Sequence, residues 1–288
     1  MASADSLAER FAQQLGVGPH TLVRRGTATV FRAGGTLIRI TTHDPTPSFA
    51  LADLLAGEGL AVPRALSIDV LVDDGLWASA WPWLEPDPAR AVDAIALGRS
   101  VRTLHELDVH RFAGVVALAD YGSFPWLAIG PTLSRIEHAG ILSAAELDAL
   151  ALAHEDLSDW WQFASTHSRF VVCHGDVQPG NVIVTAKEQL LIDWDSICLG
   201  PPQLDHAPLM TWEERWNGTP GMYAKFAKGY RRDYRDDPVA VMLADARNLV
   251  ATINMVAKGI TDRSAAQEGR RRVRYWLNDP LAPRWIPQ

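Results

Sequence analysis

Between positions 173 and 184 the chain reads Cys-His-Gly-Asp-Val-Gln-Pro-Gly-Asn-Val-Ile-Val, and Asp193 follows in Leu191-Ile192-Asp193-Trp194-Asp195. The apolar run Phe170-Val171-Val172-Cys173 predicts a strand that ends in a loop holding Asp176. Asn181 then opens a second short strand, and a third, Leu190-Leu191-Ile192-Asp193, delivers Asp193 at its tip. Three oxygen-bearing side chains at the ends of consecutive strands can converge, and phosphoryl transfer from a nucleotide to a hydroxyl needs such a set. Magnesium takes oxygen ligands, and one carboxylate with one amide carbonyl suffices once phosphate and water complete the octahedron. Asn181 and Asp193 are the candidate metal ligands, and Asp176 is the candidate catalytic base that accepts or orients the acceptor's proton.

Asp and Asn beside Gly and Pro are common in turns, so the pattern carries weight only as a combination. Here His-Gly-Asp, Asn, an apolar strand and Ile-Asp-Trp-Asp occur together between the right elements. The order Asp-x-x-x-x-Asn and then Asp matches the catalytic-loop and metal-binding elements of protein kinases. His174 is expected to hold the loop by hydrogen bonds rather than to act as a base. Competing chemistries lack their residues. There is no Gly-x-x-x-x-Gly-Lys phosphate loop, no Gly-x-Ser-x-Gly elbow, and Gly16-Val17-Gly18 lacks a third glycine. His105 and His110 are five apart rather than four, which spreads them around a helix and argues against zinc. Two cysteines, Cys173 and Cys198, cannot build a disulfide framework, so a reducing, cytoplasmic setting is expected.

The elements that must position these residues fall into two parts. Residues 21 to 40 alternate apolar and polar around Gly26 and Gly34-Gly35, predicting a three-strand antiparallel meander. A short helix over Pro47–Glu58 and strands over Leu66–Val72 and Leu76–Trp81 complete an N-terminal sheet with one helix. Three prolines between Trp81 and Pro88 mark a boundary, with residues 1–84 on one side and 85–288 on the other. Helical periodicity follows over 89 to 107, over 143 to 163 with Ser143 as cap and Glu146 three residues on, and again from about Leu204 to Leu277. With 288 residues, 48% of them hydrophobic, either part can bury a core.

Charge narrows the partners. The chain carries 27 Lys+Arg against 34 Asp+Glu; residues 1 to 200 hold 13 basic and 24 acidic groups, and the rest hold 14 and 10. So acidic a chain is a poor binder of phosphate backbones, and no nucleic-acid partner is expected. The basic cluster Arg270, Arg271, Arg272 and Arg274 reads as the solvated face of a last helix. No run of about 18 apolar residues is evident and the N-terminus has no basic head before an apolar stretch, so neither a membrane span nor a signal peptide is expected.

On His174-Gly175-Asp176, Asn181 and Ile192-Asp193-Trp194-Asp195, the sequence resembles the aminoglycoside phosphotransferase and choline kinase family, the small-molecule branch of the protein-kinase-like fold. Gly175 replaces the Arg of most protein kinases, and no Ala-Pro-Glu segment follows. The resemblance implies an α+β, bilobal, protein-kinase-like fold with a small N-terminal antiparallel β-sheet lobe and a larger, mainly helical C-terminal lobe. It implies an ATP- or GTP-dependent O-phosphotransferase that uses Mg2+ and acts on a small-molecule hydroxyl, an aminoglycoside or related antibiotic foremost. A metabolic kinase for an amino sugar, choline-like or homoserine-like acceptor would use the same core residues, and an inactive kinase-like binding module is the remaining alternative. Leu104-His105 and Gly200-Pro201-Pro202-Gln203-Leu204-Asp205 look like structural landmarks of the family, with Asp205 a cap or fold anchor.

For the nucleotide, Gly26, Thr27 and Thr29 resemble the loop over the phosphates, and Trp81 and Trp83 fall in a segment resembling the hinge. The family's usual phosphate-binding Lys has no counterpart, since the first Lys is Lys187; Arg39 on the third strand is the candidate in its place. For the acceptor, the candidates are Glu155, Asp159 and Trp160 on one helix, Trp212, Glu213 and Trp216 after the metal strand, and Asp195. Carboxylates with flat rings suit a cationic or glycosidic acceptor.

Overall fold

The structure is a computed structural model that describes residues 3–26 and 28–287. In chain order its elements are α1 (Ala4–Leu15), β1 (Thr21–Arg25), β2 (Thr29–Ala33), β3 (Thr36–Thr41), α2 (Thr46–Gly57), β4 (Leu71–Asp73), β5 (Leu76–Pro82), α3 (Ala94–Glu106), β6 (Ala119–Asp120), α4 (Ile129–Ala139), α5 (Ala144–Asp156) and α6 (Trp160–His167). There follow β7 (Val171–Cys173), β8 (Val182–Val184), β9 (Gln189–Leu191), β10 (Cys198–Gly200), α7 (Ala207–Met210), α8 (Trp212–Arg215), α9 (Met222–Tyr230), α10 (Pro238–Lys258) and α11 (Arg263–Trp276). The contacts divide into two compact units, the first comprising 1–93, 108–117 and 181–194, the second 94–107, 118–180 and 195–288.

The first unit is built on a five-stranded antiparallel sheet in the order β1-β2-β3-β5-β4. Alternation along β3 buries Ile38 and Ile40 on one face, where they meet Phe31, Ala78 and Ala80. Helix α1, absent from the sequence reading, covers that face with Leu7, Ala8, Phe11 and Ala12, a spacing of one apolar stripe per turn. The Ser3 side chain caps its start and Gly16, in the left-handed region, ends it. The meander and α2 form where the sequence predicts them, but the strand expected over Leu66–Val72 shortens to β4. Ser67 and Asp69 hydrogen-bond each other's polar groups there, offering that stretch an alternative to the ladder. The hairpin β8–β9 belongs to this unit, attached by Leu191 N–H to Ala61 O at 3.0 Å and by Asp87 N–H to Val184 O at 2.8 Å.

The second unit is mainly helical and centres on α10, capped by Asp237 and contributing thirteen buried residues. By length and composition α10 could cross a membrane, with mean hydropathy 1.3 over an 18-residue window. It is instead the core helix of this unit, with Val250, Ile253 and Val256 packed against Ile136, Leu150 and Val273. The helix expected over 143 to 163 is two helices. Ser143 and Glu146 form the expected capping box of α5, but its Leu147 and Leu150 pack in the α10–α11 core, whereas Trp160, Trp161 and Phe163 of α6 pack around Tyr121. One straight helix could not serve both clusters. Helices α3 and α9 cross closely because Gly98 and Gly229 face them; a Cβ at either would come within 2.1 Å of Phe226 O or 2.0 Å of Ile95 O. The Arg270–Arg274 cluster is only partly solvated, since Arg272 is buried on Glu268 at 2.9 Å with its guanidinium over the Trp216 ring.

Candidate active site

The loop after β7 carries Asp176, and a buried carboxylate from elsewhere in the same unit sets its shape. Asp205, fully buried, accepts the backbone N–H groups of His174 and Gly175, each at 2.8 Å. Its Oδ2 also lies 2.9 Å from His105 Nε2, and His105 Nδ1 lies 2.9 Å from the Tyr230 hydroxyl. Burial alone would raise the Asp205 pKa, but the hydrogen bond and charge of His105, with His174 beside it, outweigh burial and hold the carboxyl below its usual range. His174 is itself buried, and its Nδ1 accepts the Asp176 N–H at 3.2 Å, the loop-holding role expected of it. Gly175 has φ +81°, and a Cβ there would sit 2.3 Å from Ser196 O, so the position admits glycine on both counts.

His105, Cys173 and Asp205 place their donor atoms within 4.8 Å of one another, yet the cluster is not a metal site. Both His105 nitrogens and both Asp205 oxygens are spent on the bonds just described, and burial pushes the Cys173 thiol well above its ordinary pKa.

Asp176 opens onto a cavity of about 390 Å³ formed wholly by the second unit, with Trp126, Trp212, Trp216, Val250 and Met255 in its wall. Gln178 Nε2 donates to Asp176 Oδ2 at 3.0 Å. Arg247, from α10, forms an ion pair with Asp176 Oδ1 and reaches Gly175 O at 3.4 Å. Nothing in the sequence singled out Arg247, because its link to Asp176 spans 71 positions and α10 reads as a core helix.

Asn181 and Asp193 come together at one end of the β8–β9 hairpin. Val182 pairs with Leu191, and Ile192 N–H donates to Asn181 O at 2.9 Å, so the two residues flank the hairpin's open end. Asn181 is buried, Asp193 is exposed, and Asp193 holds φ +65°, a strained conformation for a non-glycine residue. One amide oxygen and one carboxylate are hard donors, so the pair fits magnesium.

The sequence profile of the phosphotransferase enzyme family matches residues 41–242, from the end of β3 into α10. The chain belongs to that family. No curated protein matches it. Among solved structures, the spectinomycin phosphotransferase APH(9)-Ia in complex with ADP and spectinomycin is 16% identical, with TM-score 0.62 over 96% of this chain and 94% of that one. The gentamicin complex of APH(2")-IIa is 14% identical, with TM-score 0.65 over 95% and 97%. A choline/ethanolamine kinase family protein from Mesorhizobium loti is 18% identical, with TM-score 0.66 over 95% and 96%. At these identities the shared property is the kinase-like α+β fold, as the sequence reading expected. Family membership adds the coarse activity: this phosphotransferase is a kinase that acts on a hydroxyl acceptor.

The remaining predicted residues of the phosphotransferase are distributed as follows. In the first unit, Arg39 pairs with Ser79 across β3 and β5, on the sheet face opposite Ile38 and Ile40. Leu37 pairs with Trp81, which places Trp81 on the same face as Arg39, where its ring meets Phe49 at 5.4 Å. Gly26 donates to Ala28 O and Thr29 opens β2, while Thr27 lies outside the described residues. Trp83 donates its amide to Gly35 O at 2.8 Å and stacks under Arg32, so its N–H is already committed within the unit.

In the second unit, Trp212 and Trp216 line the cavity that holds Asp176. Glu155, Asp159, Trp160, Glu213 and Asp195 do not. Glu155 and Asp159 are exposed near the α5–α6 break, Trp160 packs on Tyr121 and Trp161, and Glu213 accepts the Gly221 N–H at 2.8 Å. Asp195 is exposed beside Ser196. Adjacent sequence positions put rings and acids together, but helical rotation sends Trp212 inward and Glu213 outward.

Proposed function

We propose that this phosphotransferase uses ATP or GTP, with Mg2+, to phosphorylate the hydroxyl of a compact small molecule that carries a ring or apolar body. The observation that carries the reading is Asp176 on a loop tied down by Asp205, facing a cavity walled by Trp212 and Trp216. Asp176 would accept the proton of the acceptor hydroxyl as its oxygen bonds to the terminal phosphorus. Asn181 and Asp193 would hold magnesium, which when bound neutralises the phosphate oxygens. Arg39 would contact the nucleotide phosphates from its strand, with Gly26 in the turn before β2 and Thr29 at the strand's start.

Fold neighbours captured with spectinomycin and gentamicin support an acceptor of antibiotic size. The cavity supplies rings for such a framework, but the acids expected to attract a polycation lie outside it. The reading is tested by nucleoside-diphosphate release from purified protein with Mg2+ and ATP or GTP, over acceptors that include hydroxy acids, amino alcohols, amino sugars and aminoglycosides. Release that depends on an acceptor and is lost in Asp176→Asn supports it; release unaffected by that substitution overturns the assignment of the base.

A further inference from the structure

Among the described residues that line the Asp176 cavity, Asp176 is the single carboxylate, while Arg247, Lys258 and Arg272 are cations. Arg272 is buried and spent on Glu268 and the Ala251 and Ile286 carbonyls. Arg247, held in its ion pair with Asp176, and the exposed Lys258 are the cations that an incoming molecule meets. Both come from α10, Arg247 from its middle beside Asp176 and Lys258 as its last residue, exposed at the rim. A polycation entering this cavity would find its one carboxylate already engaged by Arg247 and would meet the like charge of Lys258 at the rim.

We infer that the acceptor is a hydroxy acid: an aromatic or apolar body that bears the hydroxyl and a carboxylate, with the carboxylate received by Arg247. The inference rests on the proposed role of Asp176 and names the substrate class for that site. A guanidinium presents a planar fork of N–H donors that matches a carboxylate at two points. Its contacts with Asp176 and Gly175 place the Arg247 guanidinium at the cavity wall, where an acceptor carboxylate can compete for it. The body of the acceptor would lie against Trp126, Trp212 and Trp216, and a cavity of about 390 Å³ suits a compact ligand.

The same geometry links recognition to chemistry. An acceptor carboxylate competes with Asp176 for Arg247, so binding of the acid draws the guanidinium from the base. Asp176 then takes the hydroxyl proton, the hydroxyl oxygen forms its bond to the terminal phosphorus, the bridging P–O bond of the nucleotide breaks, the diphosphate leaves, and the proton passes to solvent.

The test uses the full chain and three matched probes: 3-phenyllactate, its methyl ester, and the amino alcohol phenylalaninol. Calorimetric titration should show the acid binding about tenfold or more tightly than the ester and the amine. Arg247→Gln should erase the preference for acid over ester, Arg247→Lys should restore part of it, and Lys258→Gln, at an exposed position where substitutions cost little stability, should weaken the acid by a few-fold. Ester or amine binding as tight as the acid, acid binding unchanged in both Gln variants, or no binding of any probe would each overturn the inference. The phosphotransfer reading fails separately. Arg247-dependent binding of the acid without diphosphate release overturns that reading and leaves this one. Amine turnover that is lost in Asp176→Asn, with no response to the acid, does the reverse.

Discussion

His105 Nε2 and Asp205 Oδ2 stand 2.9 Å apart, joined across a hundred residues of sequence beneath the loop that carries Asp176. The carboxylate is fully buried and satisfied by one imidazole and two backbone N–H groups. The two family landmarks singled out in sequence are thus one device that holds the loop. Asp205→Ala would orphan those donors, and removing one partner of such a buried pair costs about 3–5 kcal/mol. Denaturant unfolding should register that loss, and acceptor-dependent turnover should fall with it although Asp205 touches no substrate.

His206, next in the chain, should give the protein a pH response whose sign follows from its burial. Burial, reinforced by the charge of His105, depresses its pKa from 6.5 to about 3. The unfolded chain therefore binds a proton that the folded chain refuses, so stability is full above pH 6.5 and declines as pH falls toward 3. At pH 5 the penalty is about 2 kcal/mol relative to pH 7.5. Asp205, with its pKa held below 3.8, adds its own loss only at more acid pH. Urea titrations at the two pH values should show the difference in wild type and a much smaller one in His206→Gln; an equal difference in both would assign it to other groups.

Gly175 cannot be exchanged. A side chain at φ +81° would strain the backbone and drive its Cβ into Ser196 O, so Gly175→Ala should cost about 2 kcal/mol or more. Because the displaced atoms belong to the loop of Asp176, the variant's kcat should fall well beyond what its loss of folded protein explains, which turnover normalised to folded fraction would show.

The proposed metal pair, Asn181 and Asp193, should separate from the proposed base, Asp176, by its dependence on magnesium. Asp193→Ala should raise the Mg2+ concentration for half-maximal rate by about tenfold or more, whereas Asp176→Asn should lower kcat by about 100-fold or more at any Mg2+ concentration. Titrating Mg2+ at saturating nucleotide distinguishes the two effects.

Arg39 is expected to act on the nucleotide alone. Arg39→Ala should raise the nucleotide KM by about tenfold and leave the acceptor KM unchanged; initial rates with each substrate varied in turn provide the check.

Local rules made much of this protein readable before its fold. Alternation predicted the meander, most directly in β3, where one face is buried and the other is only partly so, and the capping box of α5 is a matter of residues within one turn, Ser143 to Glu146. The spacing of Asp176, Asn181 and Asp193 was legible because short strands on either side of tight turns leave little freedom in where those residues fall. What lay beyond local rules was the environment of each side chain. The partition of Trp212 into the cavity and Glu213 out of it, the break that sends α5 and α6 to different cores, and the burial of Arg272 within an apparently solvated basic cluster all depend on which helix face meets α10. The ion pair of Arg247 with Asp176 is the extreme case, since only the packing of a 21-residue helix brings positions 71 apart into contact, and that packing decides the charge an acceptor meets.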